Sequence, residues 1–181
     1  MIGKASAFTL LPLLVCCQTT RSERDLAEPV SIEDLQPLPA ELTAANARLV
    51  VRRVLQAHRR SNDYPDEGYG YLFRDVGFVQ IHHRTPPDRA EGRVSRTFVD
   101  YASVRSAQAE PYFDFQRLKE RYRVTLSGAF QKWESRSLPS RPEPELGSEP
   151  VLREVESLSL VLDDPVMAKQ LCDALLLLSA R

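Results

Sequence analysis

Hydrophobic period changes along this chain, and the change fixes the order of its elements. Ala47, Val50, Val51, Val54, Leu55 and His58 recur at helical spacing and form one apolar stripe. This predicts a helix over residues 40–60, with Arg48, Arg52, Arg53, Arg59 and Arg60 beside the stripe and His58 at its boundary. Ser61-Asn62-Asp63-Tyr64-Pro65-Asp66 is a stop signal. From Tyr69 the period moves toward two. Tyr69, Tyr71 and Phe73 alternate with smaller or polar residues, and Phe78, Val79 and Ile81 carry a strand toward His83.

The rest of the chain follows the same rule. Pro86-Pro87-Asp88 and Glu91-Gly92 mark a turn, and Val94 to Tyr101 is a second strand. Ala102 to Gln108 continues it or forms a third, and Pro111 is expected to break the run. Residues 121–127 alternate most cleanly, Tyr122, Val124 and Leu126 against Arg121, Arg123 and Thr125. Ser127-Gly128 is expected to turn the chain into Ala129–Trp133. Residues 134–150, with four prolines, read as a long polar insertion. Leu158, Leu160 and Leu162 close the strands. Asp164 is placed to cap a last helix, with Pro165 at its first position. Its buried stripe is Met167, Leu171, Ala174, Leu175 and Leu178, widened by Cys172 and Leu176.

Helices and strands do not alternate, so a doubly wound sheet is excluded. The expected class is α+β: an antiparallel meandering sheet, or a partly open small barrel, of about five or six strands, with one amphipathic helix before it and an apolar helix closing it. Two stretches within residues 69–180 carry a resemblance: Phe98-Val99-Asp100-Tyr101-Ala102-Ser103-Val104, and Leu160-Val161-Leu162-Asp163-Asp164 running into Ala168 and Ala174-Leu175. They resemble the pleckstrin-homology-like small barrel, in which the last helix plugs an open end and a basic mouth can hold anionic head groups. The helix at 40–60 departs from that pattern.

The N-terminus reads as an address. Lys4 is the only charge before Arg21, and Ala5 to Cys17 is an uncharged run of 13 residues. A spanning helix needs roughly 17–25 apolar residues, so the run is short for one, and Pro12 weakens it further. Leu14-Val15-Cys16-Cys17 resembles the lipobox of bacterial lipoproteins, with Cys16 standing where that motif usually has Gly, Ala or Ser. The resemblance implies cleavage after residue 16, lipid on Cys17 and export to the cell envelope. Gln18 follows rather than Asp, which in bacteria with two membranes is similar to cargo for the outer one. An ordinary cleaved signal and a soluble exported protein is the alternative. The expected division is a signal at 1–16, the lipid-bearing Cys and a tether at 17–41, and one domain at 42–181. Docking of Val30, Ile32 and Leu35 on the domain is the alternative to a free tether.

Candidate chemistry is sparse. With 24 basic and 25 acidic residues and a net charge of −1, a basic nucleic-acid-binding domain is not expected. Mean hydropathy of −0.33 excludes a polytopic membrane protein. His82 and His83, adjacent on a strand, point to opposite faces and do not chelate one ion together. Cys172 reads as a small core hydrophobe. No metal site, catalytic set or cofactor is expected, since G-x-S-x-G and Gly-rich phosphate motifs are missing. Arg121 and Arg123 share one strand face and are the candidate anion-binding residues. The leading expectation is an envelope lipoprotein with a non-catalytic binding or structural domain. It is joined to the membrane by lipid and to an envelope protein by a strand edge or the 134–150 loop. The alternative is an exported ligand carrier or hydrolase, with its pocket between the last helix and the sheet.

Overall fold

A computed structural model describes residues 27–64, 66–85, 92–137 and 151–180. Cys16, Cys17, the uncharged run, Pro86-Pro87-Asp88 and residues 138–150 of the insertion lie outside them. The fold is α+β. Helix α1 (Ala47–Ser61) precedes six strands: β1 (Glu67–Arg74), β2 (Gly77–Arg84), β3 (Gly92–Asp100), β4 (Val104–Asp114), β5 (Lys119–Ser137) and β6 (Val151–Leu162). Helix α2 (Pro165–Ser179) ends the described chain.

The sheet is open and wholly antiparallel, with β5 at its centre. One edge of β5 pairs first with β4, from Lys119 to Gly128, and then with β3, from Gln131 to Ser137. Its other edge pairs with β6. A strand of 19 residues laid straight would run about 60 Å, longer than a domain of this size is wide. It bends where the β6 register shifts between Ser127 and Phe130. Gly128 sits in the bend, where an added Cβ would collide with the Ser103 carbonyl oxygen and the Phe130 ring. The expected turn at Ser127-Gly128 is therefore a bend inside one continuous strand.

Other expectations are corrected in the same way. Glu134 to Ser137 belong to β5 rather than to a loop. Pro111 lies within β4, opposite Tyr122. β4 pairs only with β5 among the described residues, and an edge strand tolerates a residue with no N–H. The expected first strand is a hairpin of β1 and β2 around Asp75-Val76. A single turn of 3-10 helix, Tyr101–Ser103, separates β3 from β4.

Alternation decides which residues of β1 to β3 enter the main core. Tyr71, Phe78 and Val99 join Val124, Leu126, Phe130, Leu160 and the helices in one continuous cluster. Leu72, Val79, Ile81 and Val94 form a smaller cluster with Ala27 on the opposite face. From α1, Ala47, Val50, Val51, Val54 and Leu55 are buried. α1 packs on α2 and touches both β1 and β6, while α2 lies mainly on β4. Asp164 caps α2 by accepting from the amides of Val166 (2.7 Å) and Met167 (3.2 Å). Leu171, Ala174 and Leu175 are fully buried, whereas Leu176 is partly exposed and Val166 largely so. Leu171→Ala is therefore expected to lower stability by about 2–5 kcal/mol. Val166→Ala is expected to change it by about 0.5 kcal/mol or less. Denaturant unfolding of the two variants checks the contrast.

Candidate functional site

Arg121 and Arg123 leave β5 on the same side, but the fold gives them different surroundings. The Arg121 side chain is 1% exposed. Its Nε donates to Asp163 Oδ1 at 2.6 Å, its Nη2 to Asn62 Oδ1 at 2.9 Å, and its Nη1 to Asp114 Oδ2 at 3.3 Å. Nη2 also reaches the Val161 carbonyl at 3.3 Å. One planar fork thus joins the β4–β5 hairpin, the corner between β6 and α2, and the residue that caps the end of α1. Asn62 extends the network by donating to the carbonyls of His58 (2.9 Å) and Val161 (3.2 Å). Arg117 donates to Asn62 Oδ1 at 3.3 Å and lies 4.0 Å over the Tyr64 ring. Lys119 pairs with Asp163 at 3.0 Å. Arg123 stands outside this network, stacked on Tyr112 at 4.2 Å with Glu110 at 3.8 Å. The two residues are not brought together as one mouth: protein oxygens already occupy Arg121, and only Arg123 faces solvent.

A second polar group sits deeper. His58, expected at the edge of its stripe, is buried, with its Nδ1 2.8 Å from the Tyr71 hydroxyl. Gln80 Nε2 donates to that hydroxyl at 3.3 Å. The Tyr71 O–H is left to donate to Nδ1, which describes a neutral imidazole with its proton on Nε2. Burial, helped by nearby His82 and Arg117 and opposed by Asp163, pushes the His58 pKa down to about 3. Burial raises the Tyr71 phenol. It raises Tyr69 too, where the Glu67 carboxylate adds to the effect. His82 stacks on Tyr69 at 4.5 Å and lies 2.9 Å from Glu67. His82 and His83 do occupy opposite faces of β2, the first with Tyr69 and the second beside Gly70 and Ile81. Among the described residues no group of three or more His, Cys, Asp or Glu is placed to hold a metal ion.

A cleft of about 460 Å³ opens between the start of α1 and the β1–β2 hairpin. Arg48, Arg52, Arg74, Asp75, Phe73 and Tyr101 line it. Arg52 lies 4.9 Å over Phe73 and is committed elsewhere, to Asp34 at 2.7 Å and Glu28 at 2.8 Å. Burial opposes ionisation of Asp34, but hydrogen bonds from Arg52 and Ser31 outweigh it and hold the carboxyl below its usual range.

These contacts belong to a strap that sequence reasoning placed in the tether. Arg53 donates to the carbonyls of Glu33 (3.0 Å) and Pro37 (2.6 Å), and Arg59 to that of Glu28 at 2.7 Å. The Glu28 amide donates to the Tyr71 carbonyl at 2.9 Å, and Phe73 N–H to the Glu28 carboxylate at 2.9 Å. Residues 28–37 therefore lie along α1 and reach the edge of β1. Of the three apolar residues weighed for docking, Ile32 and Leu35 are exposed. Polar contacts hold the strap, and Leu38 and Leu42 reach the core behind it. On the same helix face the buried Gln56 amide has no hydrogen-bond partner among the described residues. The signal available in the sequence was the spacing of Arg52, Arg53, Gln56 and Arg59 on one helix face opposite an acidic segment.

Arg121→Ala strands buried Asp114 and Asn62 and is expected to cost about 3–5 kcal/mol. Arg123→Ala is expected to stay within about 0.5 kcal/mol. Urea unfolding measures both. His58 adds a pH dependence. The folded chain resists protonating it down to about pH 3, whereas the unfolded imidazole takes up a proton near 6.5. Its contribution is complete above about pH 6.5 and is lost below it, by about 1.4 kcal/mol per pH unit, until the folded group titrates. His58→Gln is expected to remove that part of the slope in unfolding midpoints measured at pH 7 and pH 5.

The arrangement has to be read from its own geometry, since no family model, no curated protein and no solved structure matches the chain.

Proposed function

We propose that this chain is an exported, lipid-anchored envelope protein whose domain binds a partner and performs no catalysis. The observation that carries the reading is Leu14-Val15-Cys16-Cys17 at the end of an uncharged run that follows Lys4. Diacylglycerol on the Cys17 thioether and acylation of the freed amine would supply the two or more chains that stable anchoring requires. Among the described residues no helix is long and apolar enough to cross a membrane.

The domain's chemistry supports binding over catalysis. The groups furthest from their ordinary acidity, His58 and Tyr71, are sealed in the interior and bonded to each other. The charges around Arg121 satisfy one another. The six-stranded antiparallel sheet with α2 laid mainly on β4 supports the resemblance to pleckstrin-homology-like binding modules, although β3 pairs with β5 rather than with β4. A carrier or hydrolase would need a pocket between α2 and the sheet, where Ala168, Leu171, Ala174 and Leu175 pack into the core. Two surfaces suit a partner: the cleft lined by Arg48 and Arg74, and the outer edge of β6, which faces no strand among the described residues.

Metabolic labelling with palmitate tests the anchor. The wild-type chain is expected to incorporate label and Cys17→Ser to lose it. An unlabelled wild type, or label persisting in Cys17→Ser, overturns the reading.

A further inference from the structure

The β4–β5 hairpin ends in an apolar tip. Beyond the last pair, Asp114 with Lys119, the chain turns through residues 115–118. Phe115 is 79% exposed, Leu118 77% and Phe113 43%. The two phenylalanine rings meet edge to face, with centroids 5.0 Å apart. These side chains are exposed at the end of the β4–β5 hairpin, and no core cluster includes them. Large apolar groups gathered at one exposed point mark an interaction site.

The backbone adds an independent observation. Leu118 has φ of 51°, and among the described residues it is the one non-glycine with positive φ. That region favours Gly or Asn and strains Leu. The turn would relax with glycine, yet this chain places a branched apolar side chain there and leaves it in water. A strained and exposed leucine beside two exposed phenylalanines points to a function for the side chains themselves.

The tip's place in the fold narrows the occupant. Arg117, two residues after Phe115, contacts Asn62 and Tyr64 just beyond the end of α1. Arg59, in the last turn of α1, holds the Glu28 carbonyl, and Ala27 lies beside Arg59 and Asp63. The chain thus enters the domain at the same end of α1 as the tip. Ten residue steps separate Cys17 from Ala27, a reach of at most about 35 Å. A lipid on Cys17 would keep this end of the domain close to the bilayer surface. Arg117 and Lys119 lie at the tip and Arg123 farther along β5, and each faces a carboxylate, of Asp114, Asp163 and Glu110 respectively. With its charges balanced locally, the tip is built to meet lipid through its apolar side chains, while its arginine and tyrosine neighbours stay at the head groups.

We propose that Phe113, Phe115 and Leu118 form a bilayer-contacting tip, which enters the membrane interface and fixes the orientation of the domain on its anchor. The proposal rests on the lipid-anchor reading for its geometry. Trp133 is the chain's one tryptophan, so Phe115→Trp combined with Trp133→Phe puts a single reporter at the tip of the full chain. The chain is reconstituted in phosphatidylcholine vesicles with and without brominated acyl chains. Bromolipid is expected to quench the reporter at position 115 at least twofold more than it quenches Trp133 in the unaltered chain. The difference should persist from 50 mM to 500 mM salt, because the contact is apolar.

Equal quenching at the two positions in vesicle-bound protein overturns the proposal, and so does a chain that fails to float with vesicles. A reporter shielded without lipid, in a concentration-dependent way, shows a second copy on the tip and overturns it equally. If Trp133→Phe unfolds the chain, Phe115→Trp is added with Trp133 retained, and a rise in the quenched fraction is the expected result. The two readings separate cleanly. Palmitate on Cys17 with an unquenched tip removes this proposal alone, whereas a quenched tip without palmitate keeps the bilayer contact and removes the anchor, and with it the orientation on that anchor.

Discussion

A guanidinium held out of water has to find oxygen on every side, and the fold is arranged so that Arg121 does. Its partners come from four places: the hairpin through Asp114, the β6–α2 corner through Asp163, α1 through Asn62, and the β6 backbone through Val161. Taken apart, each of these groups is a buried cost. Taken together they require that the end of α1, the start of β5 and the end of β6 meet at one point. Non-directional packing of Val50, Leu126 or Leu171 tolerates small slips. A fork of fixed geometry does not, and it sets the register at this end of the sheet.

The middle of β5 is governed by sterics. At Gly128 the strand passes too close to Ser103 and Phe130 for any side chain. There it leaves β4 for β3, while β6 follows along its far edge. The bend wraps the sheet around α1 and α2, so that α1 touches both β1 and β6. One strand therefore serves both halves of the sheet, ordered at its start by charge and at its middle by the lack of a side chain.

Much of this was legible in the sequence, because it rests on local period. The stripe from Ala47 to His58, the alternation around Val124 and Leu126, and the Asp164 cap with Pro165 each need only neighbours in the chain. What escaped notice depends on partners far away. Arg121 and Arg123 are identical in local pattern, and only Asn62 and Asp163, 59 and 42 residues distant, distinguish a sealed residue from an exposed one. Pro111 reads as a breaker until β4 is known to lie at an edge. Ser127-Gly128 reads as a turn until Ser103 is seen against it. The strap at 28–37 has the composition of a linker, and its order comes from arginines on α1 rather than from its own hydrophobicity. The tip formed by Phe113, Phe115 and Leu118 leaves no mark in the local pattern, since alternation says nothing about how far a strand projects beyond its neighbours.

The strap also decides how the domain carries load. A pull on the chain from the N-terminal side of Ala27 does not first reach α1. It meets the Glu28 amide on β1, the Glu28 carbonyl on Arg59, and then the carboxylates of Glu28 and Asp34 on Arg52. These bonds join the strap to a strand edge and to a helix at once, so tension is divided between sheet and helix instead of peeling either away. The segment with the composition of a flexible leash is, from Glu28 onward, a mechanical coupling.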